Sequence, residues 1–416
     1  MKIQNVLCGE YFASYITDTK KLMYNSLNGI ADTGLNNIVS GCGGQYANIV
    51  LDSAGVARIV GFRQANGNFI NTIPGTGWEQ VYACYQAYFL VKAGKLYAYG
   101  KDKLNINGGA DITTPKALNS MVKFTKFDSS SSSQDGYMEI SGLAENGTVW
   151  QWKTGQGLNA VQVTFTGNIA RDITYVGDRA FVVETATDLF ARGVTKPEFV
   201  GLAWNQTTFV SIKSQYTSAG AVFPTKQLIG SSNTLHIIDQ NDNLYGQGEQ
   251  AQGEVGAGAA YDYSISKNFV WSWMLTKYQP VIKVTAEPYV GTTTRVDKFK
   301  KVFTGNTVAF YLYALDINDN LYSWGRNKAM VLGNGVTLNS DNESAQPNYL
   351  DMASPSYVTP LTQTWQVIPL NVNVQPPRIP QAAPAPEVVV PPTPTPFKRA
   401  VIRLIYNDGS SQEVGG

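Results

Sequence analysis

The sequence predicts an all-β fold, a seven-bladed β-propeller, and three observations carry that expectation. A phrase made of a tight turn and a short, mostly aromatic strand recurs seven times along the chain, and five of the copies close on a glycine. Early copies stand about 35–40 residues apart, which is the length of a four-stranded blade. Charged residues make up only 15% of the 416 residues, while hydrophobic residues reach 43% and aromatics 12%. Gly, Ser, Thr, Asn and Gln fill the gap, a mixture that suits many short strands joined by tight turns.

The clearest copy is Asp319–Asn320–Leu321–Tyr322–Ser323–Trp324–Gly325. Asp and Asn tolerate the left-handed backbone that a hairpin turn requires. Leu321, Tyr322 and Trp324 favour strand, and Gly325 lets the chain leave it sharply. The other copies centre on Leu22–Met23–Tyr24, Ala57–Arg58–Ile59–Val60–Gly61 and Leu96–Tyr97–Ala98–Tyr99–Gly100, then Val149–Trp150–Gln151–Trp152, Leu189–Phe190–Ala191–Arg192–Gly193 and Leu244–Tyr245–Gly246–Gln247–Gly248. The spacing from turn to closing glycine is the same in Gly55/Gly61, Gly94/Gly100, Asp242/Gly248 and Asp319/Gly325. The acidic residues Asp52, Asp242 and Asp319 fall one per hairpin and read as turn formers. A single hairpin or blade cannot bury both of its faces. A ring of seven blades can, and closure removes most open edges.

The phrase Leu321–Tyr322–Ser323–Trp324–Gly325–Arg326–Asn327, followed by Leu332–Gly333–Asn334–Gly335, resembles the RCC1-type repeat. So does Leu244 to Gly248, followed by Gly253–Glu254–Val255–Gly256–Ala257–Gly258. The resemblance covers residue 1 to roughly 365. It implies a seven-bladed propeller that binds proteins, with guanine-nucleotide exchange or inhibitor-type recognition within the family's range. The histidine of the family's repeat is replaced by Ala47, Gln86, Glu139, Arg179, Thr234 and Tyr311, and the single histidine, His236, stands later in its unit. The departure weighs against exchange activity.

Uneven spacing between copies marks three inserts. The first is a serine run, Ser129 to Ser133, ending at Gly136. The second, Pro197 to Lys226, carries Phe199, Trp204, Phe209 and Tyr216. The third, Ala259 to Lys300, carries Trp271, Trp273 and Tyr278, and the alternation of Phe269, Trp271 and Trp273 predicts a strand with one aromatic face. Insertions in repeat folds gather on one face and carry binding, so Trp204, Trp271, Trp273 and Tyr278 are candidate contact residues. Packing as an extra layer on the blade is the competing expectation.

Residues 1–370 are read as the propeller, 371–396 as a linker or arm and 397–416 as a partner-binding hairpin. Nine prolines between Gln375 and Pro396 enforce an extended backbone. The hairpin Phe397 to Val414 turns at Asn407–Asp408–Gly409, and Val401, Ile402, Leu404 and Tyr406 are its candidate docking residues. A lone hairpin is marginal in water and seeks a partner strand.

The chemistry expected of such a chain is sparse. His236 lies mid-strand and reads as a packed histidine rather than a catalytic base. Cys8, Cys42 and Cys84 each stand near the start of a repeat, where a three-thiolate metal site competes with three small buried residues. The absence of a C-x-x-C spacing favours the second. An odd cysteine count and no signal-like N-terminus point to reduced thiols. A net charge of +1 argues against a general nucleic-acid binder, and no apolar run is long enough for a membrane span. No cofactor and no metal are expected. The expectation is a non-enzymatic structural or docking component whose partners are other protein subunits, copies of itself included. A bacteriophage virion part in the tail or head–tail region, made in the host cytoplasm, is the specific reading. Recognition of a protein or glycan through the aromatic inserts is the alternative.

Overall fold

The computed structural model describes residues 2–9, 12–26, 29–45, 47–63, 67–119, 122–130, 137–177, 180–193, 197–203, 205–249, 254–256, 278–286, 295–305, 311–325, 352–357, 402–405 and 411–414. Seven four-stranded antiparallel sheets follow one another along the chain, each built from consecutive strands. Blade one is β1 Ile3–Cys8, β2 Ala13–Thr17, β3 Leu22–Ser26 and β4 Gly29–Asp32; blade two is β5 Ile38–Cys42, β6 Asn48–Asp52, β7 Ala57–Arg63 and β8 Gly67–Thr72. Blade three is β9 Gln80–Cys84, β10 Ala87–Lys92, β11 Lys95–Gly100 and β12 Ile112–Ala117; blade four is β13 Phe124–Ser129, β14 Glu139–Ala144, β15 Val149–Lys153 and β16 Val161–Val163. Blade five is β17 Asp172–Val176, β18 Ala180–Glu184, β19 Leu189–Gly193 and β20 Gln206–Ser211. Blade six is β21 Gln227–Gly230, β22 Thr234–Ile238, β23 Leu244–Glu249 and β24 Tyr278–Val284; blade seven is β25 Phe299–Phe303, β26 Tyr311–Asp316, β27 Leu321–Gly325 and β28 Met352–Tyr357. This is the seven-bladed architecture the repeat predicts. The propeller lies within the unit Met1–Val372; the unit Asn373–Gly416 holds the antiparallel pair β29 Ile402–Ile405 and β30 Ser411–Val414.

The recurring phrase is the second and third strand of each blade, and its turn has a defined geometry. In blades one, two, four, six and seven the turn closes on two backbone hydrogen bonds, as in Asp319 N to Asp316 O and Asp316 N to Asn320 O, 3.2 and 3.0 Å. This is a type I turn followed by one left-handed residue. Lys20, Gly55, Gly147, Asp242 and Asp319 take that position, with φ of 60, 74, 80, 64 and 70°. The three acidic residues therefore do two different jobs. Asp242 and Asp319 supply the left-handed residue, whereas Asp52 matches Asp239 and Asp316 at the start of the turn. The Oδ1 of Asp52 accepts from Ala54 N and Val56 N, 3.0 and 2.9 Å. Asp239 and Asp316 accept from the equivalent amides of Asn241 and Asn243, and of Asn318 and Asn320.

Both faces of each blade are apolar, and the core consists of seven clusters, one per seam between neighbouring blades. The first strand of each blade meets the first strand of the next, so these strands surround the central axis. Their backbones crowd closely. A Cβ at Gly43 would stand 1.9 Å from the Cys8 carbonyl oxygen, and one at Gly230 1.8 Å from that of Tyr175, so only glycine fits.

Among the described residues no strand is shared between the last blade and the first. The seam is sealed by side chains instead. Val6, Cys8, Ala13, Tyr15 and Met23 pack against Phe303, Tyr311, Tyr313, Leu315 and Leu321. The Tyr15 and Tyr313 hydroxyls hydrogen-bond at 2.9 Å, and the Tyr311 hydroxyl donates to the Gly9 and Phe12 carbonyls at 2.6 and 3.1 Å. Lys2 reaches Asp319 at the other end of the seam.

The segment 197–226, read as a single insert, is divided by β20. Residues 197–205 precede that strand, and the short helix α1, Lys213–Ser218, follows it. Phe199 and Tyr216 are buried in the seam between blades five and six, and Phe209 packs against Phe165 and Phe181 at 5.8 and 6.0 Å. These three aromatics extend the core. β28 completes blade seven, which places Met352–Tyr357 inside the propeller.

The closing seam makes a measurable prediction. Tyr15→Phe or Tyr313→Phe removes the hydroxyl–hydroxyl hydrogen bond that crosses the seam and should cost about 0.5–1.5 kcal/mol. The double variant should cost less than the sum of the two singles. Denaturant titration of the four proteins checks this; additive losses would mean that the two hydroxyls do not pair.

Candidate interaction face

Strand direction divides the connections between two faces. The turns between second and third strands lie at one end of every blade. The connections from first to second strand and from third to fourth lie at the other. The described segments 101–111 and 154–160 both run from third to fourth strands. One face thus carries these connections. The opposite face carries the short turns and several ion pairs, among them Lys226–Asp242 at 2.5 Å and Lys300–Asp319.

On the face with the long connections, the segment 101–111 is a preformed platform. The Asp102 carboxylate accepts from the amides of Ile106, Asn107 and Gly109 at 2.9, 2.6 and 3.1 Å. Asn105, Gly108 and Gly109 take positive φ of 56, 65 and 82°. Leu104 is buried in the seam to blade four, and Thr154 Oγ1 donates to the Lys103 carbonyl at 2.6 Å. Lys101 pairs with Asp111 at 2.9 Å, and Lys103 stands 4.7 Å over the Tyr85 ring. Beside this platform a shallow concavity of about 510 Å³ opens between blades two and three, lined by Ala47, Phe69, Gln86, Tyr88, Lys101 and Asp111. Sequence reasoning did not single out this segment. Its signal is the Asn- and Gly-rich run that follows Gly100, where the RCC1-type repeat also has an Asn- and Gly-containing loop.

Three positions of the missing repeat histidine, Tyr311, Gln86 and Glu139, tie neighbouring blades together. Tyr311 bonds the blade-one loop as described, and Gln86 Nε2 approaches Gln45 Oε1 at 3.5 Å. Glu139 is enclosed by polar partners. Tyr137 Oη donates to its Oε1 at 2.6 Å, Gln151 Nε2 to its Oε2 at 2.8 Å, and Lys153 pairs with it at 3.2 Å. The network crosses the seam through the Tyr175 hydroxyl, 2.7 Å from Ser141 Oγ, and through Arg192, which donates to Gln151 Oε1 at 3.2 Å. Burial, reinforced by the Glu139 charge, pushes the Tyr175 phenol well above its usual range. Nearby, the buried Asp128 Oδ2 accepts from Thr174 Oγ1 and Tyr175 N at 2.7 and 2.9 Å. These carboxylates are occupied by structural hydrogen bonds, which is how a buried charge is tolerated.

His236 is wholly enclosed. Its Nδ1 stands 3.3 Å from Thr234 Oγ1, its Nε2 stands 3.3 Å from the Val255 carbonyl, and the Trp324 ring packs edge-on at 5.9 Å. Burial lowers its pKa from the usual 6.5 to about 4, opposed by the Val255 hydrogen bond. The histidine is therefore a neutral core residue at physiological pH. The cysteines stand at the ends of β1, β5 and β9. Cys84 Sγ donates to the Ser130 carbonyl at 3.2 Å and Cys42 Sγ to the Ala83 carbonyl at 3.8 Å. Burial raises Cys8 well above its ordinary range and Cys42 to about 12, so both thiols stay protonated, unlike thiolate metal ligands.

Trp204, Trp271, Trp273, Val401 and Tyr406 lie outside the described residues. Tyr278 begins β24, and Ile402 and Leu404 lie in β29, with their side chains likewise outside the description. The structure brings none of these into one described site.

No protein-family model matches the sequence, and no curated protein matches it either. Solved structures do share the fold. Prp20p from Saccharomyces cerevisiae, studied for its binding to Gsp1p and histones, superposes with a TM-score of 0.56 at 16% identity, covering 78% of this chain and 77% of that one. The yeast RCC1 (Prp20) complex with Kap60 gives 0.54 at 16% identity over 78% and 75%. Human WBSCR16 gives 0.52 at 14% identity over 73% and 85%. The chain thus carries a diverged RCC1-like propeller, and these identities establish likeness of fold.

The buried histidine sets an acid limit. Between pH 6.5 and about 4 the unfolded chain takes up a proton at His236 that the native chain does not. Its contribution to stability is therefore full above pH 6.5 and is lost as the pH falls through that window. His236→Gln should flatten this part of the profile of melting temperature against pH. An unchanged slope would show that the imidazole titrates normally in the fold.

Proposed function

We propose that the chain is a non-enzymatic docking subunit of a larger protein assembly, and that partners seat on the face bearing the long connections. The observation that carries this reading is the asymmetry of the two faces. One carries the second-to-third-strand turns and several lysine–aspartate pairs; the other presents the anchored 101–111 platform and the concavity beside it. Preorganised loops on a rigid scaffold reduce the ordering cost of binding. Proteins of the same fold bind proteins, as the studies of Prp20p with Gsp1p, histones and Kap60 state. The low charge and the Pro-rich arm support the narrower reading of a bacteriophage virion component, with the C-terminal hairpin as a second attachment. The buried, neutral His236 and the protonated thiols support a binding rather than a catalytic role.

Cross-linking mass spectrometry on the native assembly separates the two faces. Lysines at the long-connection face, Lys101, Lys103 and Lys153, should form intermolecular cross-links. Lys92, Lys226 and Lys300 at the turn face should form few. The reverse pattern would overturn the assignment of the face, and catalysed nucleotide release from a small GTPase would overturn the non-enzymatic reading.

A further inference from the structure

Among the described residues the fourth strand of each blade is an outer edge with no further strand paired to it, and such edges invite pairing unless something blocks it. Most outer strands here carry a block. β12, β24 and β28 contain Pro115, Pro280 and Pro355, and their pairing to the third strand is broken by a register shift. β20 has such a shift too. β16 is three residues long and β4 four. Among the described strands β8 differs on every count. It is six residues, Gly-Asn-Phe-Ile-Asn-Thr, with no proline and no charge. Its pairing with β7 is unbroken from Arg58↔Thr72 to Arg63↔Gly67. Phe69 and Ile70 are 37% and 43% exposed, one on each face of the strand.

We propose that this edge pairs with the same edge of a second copy of the chain, antiparallel, across a two-fold axis at Ile70. The bond from Ile73 N to Ala57 O, 2.9 Å, fixes which residues of β8 bond inward. By antiparallel alternation Phe69 and Asn71 turn their backbone groups to β7, while residues 68, 70 and 72 turn theirs outward. These outward groups are symmetric about Ile70. A two-fold axis normal to the sheet keeps each face of the strand on its own side, so it sets Ile70 against Ile70, residue 68 against Thr72 and Phe69 against Asn71. Every outward amide from 68 to 72 then finds a carbonyl. A neutral strand is needed for this occupant, because a symmetric contact places any charge near its own copy. The contact joins two blades into one continuous sheet. It buries less than the roughly 1,200–2,000 Å² of a standard stable interface, so it forms at high local concentration, as among subunits of an assembly.

Sedimentation velocity of the full chain across rising concentration should show a monomer–dimer equilibrium. Ile70→Lys places two ammonium groups face to face and should leave a monomer with an unchanged melting temperature, since residue 70 is exposed. Under mild oxidation Ile70→Cys should trap a disulfide dimer, whereas Asn71→Cys, set opposite residue 69, should not. A chain that stays monomeric throughout and forms no Ile70→Cys cross-link overturns the proposal, as does a dimer unaffected by Ile70→Lys. Cross-links from Lys101, Lys103 and Lys153 to other subunits are read separately, so the docking face can stand where this edge contact fails.

Discussion

The constraint on which the structure depends is that a blade with two apolar faces must be covered on both. Each of the seven core clusters sits at one seam, and the seventh joins the first blade to the last. Among the described residues the ring closes there through the side chains of Tyr15, Tyr311, Tyr313 and their apolar neighbours. Large aromatic side chains suit this task, because they bury much area and can carry a hydroxyl to a defined partner. Elsewhere the seams gain polar ties at the axis-facing ends, through Asp128 and Tyr175 and through the Glu139 network. Inner strands come close enough for this because Gly43 and Gly230 offer no side chain.

Much of this was legible in the sequence. The seven hairpins are local features, and local features write themselves into turn residues and alternation. Left-handed positions such as Gly55 and Asp319 are readable because few residues accept that backbone. What the turns do not encode is the partition of roles between Asp316 and Asp319, which depends on hydrogen bonds rather than on residue type. The division of 197–226 was also hidden. Phe199 and Tyr216 read only as aromatics of an insert, and the neighbouring blade shows that they are core. The 101–111 platform is not legible in the sequence because its organising residue, Asp102, is an ordinary polar residue until its three amide partners converge on it. The aromatic candidates Trp271 and Trp273 rest on their place in an insert and on alternation, and neither separates a packed ring from a binding one.

The functional reading rests on the contrast between surfaces that are closed and surfaces that are not. The turn face is tied by hydrogen bonds and ion pairs between blades. Most outer edges are blocked by proline, by a register shift or by shortness. Among the described residues two regions escape these devices: the face of the 101–111 platform and the edge of blade two. Their positions differ, one at an end of the ring and one at its rim, so a subunit could meet one neighbour through the face and its own copy through the rim.

Amide hydrogen exchange, followed by mass spectrometry on the full chain, tests the closed ring most directly. If side-chain packing seals the last seam, Ile3–Cys8 and Phe299–Phe303 should be protected as strongly as the interior strands Phe124–Ser129 and Asp172–Val176. Rapid exchange confined to the first and last blades would contradict closure, and with it the account of how this chain folds.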